Sequence, residues 1–290
     1  MKKIILAFPY SKELGKKLAV RLNAEFSVVD IKYFPDREKL VQIKADVKNK
    51  KAIVVNSLYE PDEKIIDLCL TAATLKDLGA RQITLVAPYL GYMRQDKRFH
   101  KGESISSKII AKIITPFFSK LITIDPHLHR YKSLNTIYKL KTKVLTANSL
   151  VADYIKKYYN DVIIIGPDEE SYQWAANVAK AVGVKVTVAK KTRLSSRKVM
   201  IELKDKIKLR GKTVVIVDDI ISTGHTMIEV VKNIKKQKPK MVVCIGVHGL
   251  FVENAYKKLK DIGVDKIVTT NCIPHKTNDI DVSPILKKYC

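Results

Sequence analysis

The sequence predicts an α/β protein with mostly parallel sheets, and three observations predict it. Short aliphatic runs alternate along the whole chain with longer segments whose apolar residues recur at helical spacing. The runs are apolar throughout, as strands covered on both faces are. Gly79 and Gly183 stand where helices should end, with a new run soon after each.

In chain order, Met1-Lys2-Lys3-Ile4-Ile5-Leu6-Ala7-Phe8-Pro9 has an apolar stretch too short for a signal peptide and no small-residue cleavage site, so it reads as a first strand. Strands follow at 52–56, 83–87, 121–124, 162–165, 184–189, 213–217, 241–247 and 266–269. Helices are expected at 62–78, 106–118, 147–159, 172–182, 226–237 and 253–263, and a hairpin at 198–203. The strand–helix–strand unit of 52–87 is echoed by 162–189. Two domains of like outline are therefore expected, 1–146 and 147–279, meeting at Val144-Leu145-Thr146-Ala147-Asn148 with no low-complexity linker.

Composition narrows the function. Hydrophobic content of 46% is ample for packed cores, and no run of about 18 apolar residues suggests a membrane span. Cys69, Cys244, Cys272 and Cys290 show no CxxC spacing, which fits free thiols in a reducing cytoplasm. The formal charge of +25 raises nucleic-acid binding as a question. The basic residues are mostly Lys spread over helix faces, as in Lys156-Lys157 and Lys232, Lys235, Lys236, which favours a solvated surface that also attracts small polyanions.

The richest segment is Val214-Val215-Ile216-Val217-Asp218-Asp219-Ile220-Ile221-Ser222-Thr223-Gly224-His225-Thr226. A buried strand is closed by Asp218 and Asp219. A Ser-Thr-Gly loop follows, then the apolar stripe Met227, Ile228, Val230, Val231, Ile234 of a helix. A loop opening a helix presents unpaired N–H groups and hydroxyls that suit a phosphate. The carboxylates suit sugar hydroxyls or a divalent cation. Together they describe a phosphorylated-sugar site; the competing reading is an acid pair at a strand end with no ligand.

Other segments are less specific alone. Pro88-Tyr89-Leu90-Gly91-Tyr92-Met93-Arg94-Gln95-Asp96-Lys97-Arg98 carries cations for phosphate or base stacking and an amide and a carboxylate for an adenine edge, and it reads equally as a solvated basic loop. Phe34-Pro35-Asp36-Arg37-Glu38 reads as an ordinary turn. In Asp125-Pro126-His127-Leu128-His129 the two His could share a metal or be structural, and no third soft ligand supports zinc. The acids of Gly166-Pro167-Asp168-Glu169-Glu170-Ser171 could simply complement a helix dipole. Ala189-Lys190-Lys191-Thr192-Arg193-Leu194-Ser195-Ser196-Arg197 is a basic stretch that could be a surface flap.

In order, these segments resemble the ribose-phosphate pyrophosphokinases. The 214–226 pattern resembles the ribose-phosphate loop that they share with type I phosphoribosyltransferases. Arg94-Gln95-Asp96-Lys97 followed by Glu103-Ser104-Ile105-Ser106-Ser107-Lys108 resembles their ATP segment, which simple phosphoribosyltransferases lack. Short length and the Ile-Ser-Thr-Gly loop look closest to archaeal members.

The resemblance implies two type I phosphoribosyltransferase-like domains with mostly parallel central sheets, a flap hairpin in the second, and a C-terminal segment 280–290 returning to the first. It implies Mg²⁺-dependent transfer of the diphosphoryl group of ATP to ribose 5-phosphate in a cytoplasmic homo-oligomer, dimer or higher, with ATP at a subunit interface and no nucleic-acid or membrane partner. Lys191 and Arg193 would be catalytic. Phe34, Asp36, Glu38, Arg94, Gln95, Asp96, Lys97 and His127 would bind ATP, with His127 on its Mg²⁺. Asp168 would serve the pyrophosphate and metal. Asp218, Asp219, Ser222, Thr223, Gly224, His225 and Thr226 would hold ribose 5-phosphate.

Three departures stand out. Arg37 replaces a glycine, so a different local backbone is expected. Pro126 interrupts the usual Asp-Leu-His. Glu170 and Ser171 replace two glycines of the pyrophosphate turn. The rival readings are a phosphoribosyltransferase and a non-catalytic or nucleic-acid-binding homologue.

Overall fold

The computed structural model describes residues 2–128, 130–193, 199–205 and 207–290, with the backbone alone at 190–193 and 199–202. By contacts the chain divides into two units. Unit 1 comprises 1–146, 272–274 and 282–290, and unit 2 comprises 147–271 and 275–281.

Unit 1 begins with β1 (Lys3–Ala7), α1 (Lys12–Leu22) and β2 (Glu25–Val28), followed by β3 (Asp30–Tyr33) and β4 (Lys39–Gln42). Then come β5 (Lys51–Val55), α2 (Pro61–Asp77), β6 (Gln82–Val86), α3 (Ser106–Ile114), β7 (Lys120–Ile124) and β8 (Lys141–Leu145). Its sheet runs β2-β1-β5-β6-β7-β8, all parallel. Strands β3 and β4 form a separate antiparallel pair. Leu6, Val54 and Leu85 of the sheet pack with Leu68, Ala72 and Leu75 of α2 in one buried cluster. Gly15 lets α1 approach β1, since a Cβ there would stand 2.5 Å from the Ala7 Cβ.

Unit 2 holds α4 (Asn148–Tyr158), β9 (Val162–Gly166), α5 (Tyr172–Val182), β10 (Val186–Arg193) and β11 (Val199–Leu203). It continues with β12 (Thr213–Ile221), α6 (His225–Lys235), β13 (Met241–Gly249), α7 (Ala255–Asp261), β14 (Lys266–Thr270) and β15 (Asn278–Ile280). A last helix, α8 (Ser283–Lys287), lies in unit 1. The sheet of unit 2 runs β11-β10-β9-β12-β13-β14-β15 and is parallel except for the β10–β11 hairpin. Successive side chains of β12 leave by opposite faces. Val214 and Ile216 pack with Met227, Val231 and Ile234 of α6. Val215 and Val217 pack with Val178 and Ala179 of α5.

The sheets correct one expectation. The echo between 52–87 and 162–189 is not the structural one. β1 lies between β2 and β5, as β9 lies between β10 and β12. A hairpin precedes β5 just as one precedes β12, so β5 answers to β12 and β1 to β9. The misreading has a physical cause: β2, β3 and β4 are half-buried or exposed, carry Glu, Asp, Lys and Gln, and give no apolar run. Helix α1 and strand β8 went unread for similar reasons, being largely Lys, Arg and Glu in the first and Lys-Thr-Lys in the second.

Candidate functional site

In unit 2, chain connectivity reverses beside β9: β10 lies on one side of it and β12 on the other. Ligands of open α/β sheets occupy the crevice outside the carboxyl ends of strands at such a switch point. Asp168 follows β9 by two residues, Asp218 and Asp219 lie near the end of β12, and Lys191 and Arg193 end β10. The structure thus brings the sequence-predicted residues of this half to the carboxyl ends of three neighbouring strands. The side chains of Lys191 and Arg193 lie outside the described residues; their backbones pair with Ile201 and Val199 in the hairpin.

The carboxylates do not close β12, as the sequence suggested; the strand runs on to Ile221. Asp218 is half-buried, and its Oδ1 accepts the Asp219 N–H at 3.0 Å. Burial pushes the Asp218 carboxyl well above the usual range, and the charges of Asp219 and Asp168 push it further. That coupling carries Asp168 and Asp218 into one electrostatic group although fifty residues separate them in sequence. Beneath them, burial raises the Cys244 thiol, with Asp218 adding to the effect.

Asp168 is fixed by its own turn. Its Oδ1 accepts the Ser171 N–H at 2.9 Å, while Ser171 Oγ accepts the Asp168 N–H at 3.2 Å and donates to the Asp168 carbonyl at 3.0 Å. This reciprocal pair, of the capping-box type, gives Ser171 a structural role in the turn. The neighbouring Glu169 and Glu170 are exposed.

After β12, Gly224 takes φ +72° and caps α6. The left-handed conformation favours glycine, and a Cβ there would also meet Ala255 Cβ at 3.4 Å. The first turn of α6 carries no acidic residue of its own. Ser222, Thr223 and Thr226 are half-buried around it. His225 opens the helix, 69% exposed, with Nε2 3.6 Å from Glu253 Oε2; Lys258 Nζ stands 3.8 Å from the same oxygen. Sequence reading missed Glu253. It sits in a run where Phe251, Glu253 and Asn254 all have positive φ, which no local residue type announces.

In unit 1 the candidate nucleotide residues lie on three segments. Arg94, Gln95, Asp96 and Lys97 belong to the loop after β6, and His127 follows the adjacent β7. Asp96 is buried and bound by Arg130 Nη1 at 2.8 Å, so contact with a nucleotide edge requires that pair to open. Gln95 Nε2 donates to Glu103 Oε2 at 3.0 Å, and Ser107 Oγ donates to the Gln95 carbonyl at 3.0 Å. The Glu103 carboxylate also accepts the N–H groups of Phe99 and His100, and those of His100 and Phe99 lower its pKa. Gln95 and Asp96 therefore shape the loop. Arg130 was missed because one Arg in a polar loop carries no periodic signal. His127 is half-buried, and His129 lies outside the described residues.

Phe34–Glu38 is the tip of the β3–β4 hairpin. Phe34 N–H donates to the Glu38 carbonyl at 2.8 Å, Arg37 N–H to the Phe34 carbonyl at 2.8 Å, and Glu38 N–H to Asp36 Oδ1 at 3.2 Å. The backbone change expected at Arg37 does not occur as a loss of positive φ: Arg37 itself takes φ +72°. The hydrogen bonds that close the turn impose the left-handed geometry, at a cost of about 1 kcal/mol.

The unit 1 switch point lies between β1 and β5. There Tyr10, Tyr33, Tyr59, Lys64 and Asp67 line a cleft of about 780 Å³. Lys64 Nζ lies 3.2 Å from the Tyr59 ring centre and 4.4 Å from that of Tyr10, and burial lowers its pKa to about 8. Tyr10 OH donates to Asn56 Oδ1 at 2.8 Å.

Among the described residues no group of three or more His, Cys, Asp or Glu forms a metal cage, and no helix is long and apolar enough to cross a membrane. Hard carboxylate oxygens at Asp168 and Asp218 fit Mg²⁺, which takes one or two carboxylates together with phosphate oxygens and water.

Comparison with known proteins agrees with the geometry. Residues 3–117 match the N-terminal domain of ribose phosphate pyrophosphokinase, and residues 133–284 match the phosphoribosyl transferase domain. Ribose-phosphate pyrophosphokinase of Sulfurisphaera tokodaii is 33% identical over 98% of this chain and 99% of its own. That of Pyrococcus furiosus is 34% identical over 91% and 93%. The crystal structure of phosphoribosylpyrophosphate synthetase from Mycobacterium smegmatis, 22% identical, shares the fold with a TM-score of 0.86 over 99% of this chain and 97% of that one. The chain belongs to the ribose-phosphate pyrophosphokinase family of enzymes.

Proposed function

We propose that the protein transfers the β,γ-diphosphoryl group of ATP to the 1-hydroxyl of ribose 5-phosphate, giving 5-phosphoribosyl 1-diphosphate and AMP for nucleotide biosynthesis. The sugar-phosphate half rests on the junction of β12 and α6, a carboxylate pair and then a left-handed glycine at a helix start at a switch point. The diphosphoryl-transfer half is supported by the match of residues 3–117 to the N-terminal domain of ribose phosphate pyrophosphokinase. Backbone N–H groups of 224–226 and the hydroxyls of Ser222, Thr223 and Thr226 receive the 5-phosphate. Asp218 and Asp219 receive the ribose hydroxyls.

Arg94 and Lys97 pair with the ATP phosphates, and Phe34, Asp36 and Glu38 contact its adenosine from a neighbouring subunit of a homo-oligomer. His127 in unit 1 and Asp168 in unit 2 are each candidate ligands of Mg²⁺, which would be brought in on ATP and would screen phosphate charge. The anomeric oxygen attacks the β-phosphorus in line, its proton is lost to solvent, and the bond to the AMP oxygen breaks. Lys191 and Arg193 stabilise charge on the transferred group. Removing one oriented donor of this kind typically costs about 10²–10³ in rate, so Lys191→Ala and Arg193→Ala lower kcat with little change in KM.

The test is ³¹P NMR of the protein with Mg²⁺, ATP and ribose 5-phosphate. AMP with a new sugar diphosphate is expected. ADP with a sugar bisphosphate would identify an ordinary kinase, and retention on DNA with no ATP turnover would favour a nucleic-acid binder.

A further inference from the structure

Among the described residues strands β3 and β4 pair only with each other, whereas the β10–β11 hairpin is joined to its sheet through β9. An isolated two-stranded hairpin is marginally stable in water, so side chains must place this one. Ile31 and Val41 pack on the unit 1 core. Across the ladder from Tyr33, Lys39 sends its ammonium onto α2.

There its ammonium donates to the Glu63 carbonyl at 3.1 Å and stands within ion-pair range of Asp67 Oδ1 at 2.9 Å and Glu63 Oε2 at 3.4 Å. The same nitrogen lies 5.8 Å from the Tyr33 ring centre. The Lys39 and Asp67 side chains are only 10% and 5% exposed. Apolar packing fixes how deeply the hairpin sits but leaves sliding and rocking along α2 cheap, because it has no direction. The Lys39 bond to the Glu63 carbonyl is directional, its ion pair with Asp67 is nearly buried, and both lie one residue from Glu38.

We propose that Lys39 is a positioning residue for the nucleotide: held by Asp67 and Glu63 of α2, it fixes the detached hairpin whose tip presents Phe34, Asp36 and Glu38, so that ATP affinity depends on the Lys39–Asp67 pair. This rests on the reading of those three residues as adenosine contacts. Removing one partner of a buried pair leaves the other charge uncompensated, which is far costlier than replacing both.

The experiment is steady-state kinetics with hydrogen exchange of the hairpin amides, on wild type, Lys39→Met, Lys39→Arg and the double variant Lys39→Met/Asp67→Leu. In Lys39→Met, KM for ATP is expected to rise about tenfold or more. The kcat and KM for ribose 5-phosphate are expected to stay within about twofold, as for a distant site. Exchange should quicken at 34–42 and not in β1 or β5. Lys39→Arg should restore ATP affinity, and the double variant should recover most of it.

An unchanged KM for ATP in Lys39→Met, or a parallel fall of every parameter with global unfolding, overturns the proposal. A wild type that makes no AMP would instead overturn the functional reading on which the nucleotide role rests. Hairpin exchange in Lys39→Met would still report whether the pair anchors the hairpin.

Discussion

The loops after β5 and β12 occupy the same place in two sheets of like topology and differ in charge: one leads into a helix start rich in acids, the other into one with none of its own. After β12, Gly224 at φ +72° leads into a helix whose first turn has no acid. After β5, Glu60 takes the corresponding left-handed cap at φ 46°, Pro61 removes an N–H from the helix start, and Asp62 and Glu63 fill the first turn. Glu60, Asp62, Glu63 and Asp67 place four carboxylates within eight positions of this basic chain. On the function proposed here one loop receives an anion; the other, with its acids, would repel one and has its cleft partly filled by Lys64 on two tyrosine rings. If so, a few residues at the helix start, not the fold alone, decide phosphate binding.

The sharpest way to break this comparison is to write one loop into the other. Gly224→Glu puts a strained, charged residue where Glu60 stands in unit 1. Left-handed strain of about 1–2 kcal/mol should lower stability, while repulsion of about 1–2 kcal/mol should raise the dissociation constant for ribose 5-phosphate about tenfold, read by calorimetry. Affinity within threefold of wild type would mean that the phosphate binds elsewhere.

Asp218→Asn tests the electrostatic half. The Asp218 pKa is raised in the folded state, so its ionisation opposes folding. The penalty is absent below the usual carboxylate range and grows as pH rises through the elevated pKa. The variant should be more stable than wild type by about 1 kcal/mol at neutral pH, lose the gain in acid, and make little product. Urea unfolding at both pH values measures it, and an equal gain at both would remove the proposed cause.

The reverse exchange, Glu60→Gly, should relieve the left-handed cap. Stability should rise by about 0.5 kcal/mol, less than the strain removed because glycine also loosens the unfolded chain. Ribose 5-phosphate affinity should not change; a loss would place the sugar in unit 1.

The smallest effect is expected at Glu253. Its contact with His225 is exposed, and such pairs contribute little. Glu253→Gln frees His225 from a competing carboxylate and should tighten ribose 5-phosphate about twofold. Weaker binding would show that Glu253 orients His225 productively.

Much of this was legible in the sequence, unevenly. Both parallel sheets were readable because buried strands are continuously apolar, and so was the strand–loop–helix junction at 213–235. The hairpin expected at 198–203 is instead formed by β10 with β11, the latter only one of its strands, because β10 runs on through the polar residues to Arg193. The β3–β4 hairpin was not readable, because its strands cover the core with one face and alternate Lys, Asp and Gln on the other. Nor were Arg130 on Asp96, Ser171 on Asp168, or Lys39 on Asp67. Each is a single polar contact set by tertiary geometry. The mistaken pairing of β5 with β9 had the same origin: strand order is a property of the sheet.

Both units share a fold whose simple members do their chemistry at carbon 1 of the sugar, while the reaction proposed here occurs at phosphorus. Ribose 5-phosphate labelled with ¹⁸O at the anomeric oxygen separates the two when turned over with Mg²⁺ and ATP and read by the ³¹P isotope shift. Attack by that oxygen on the β-phosphorus keeps the label in the bridge between carbon 1 and the diphosphate, and the account predicts this. A sugar diphosphate whose bridge has lost the ¹⁸O would mean cleavage at carbon 1 and would contradict it.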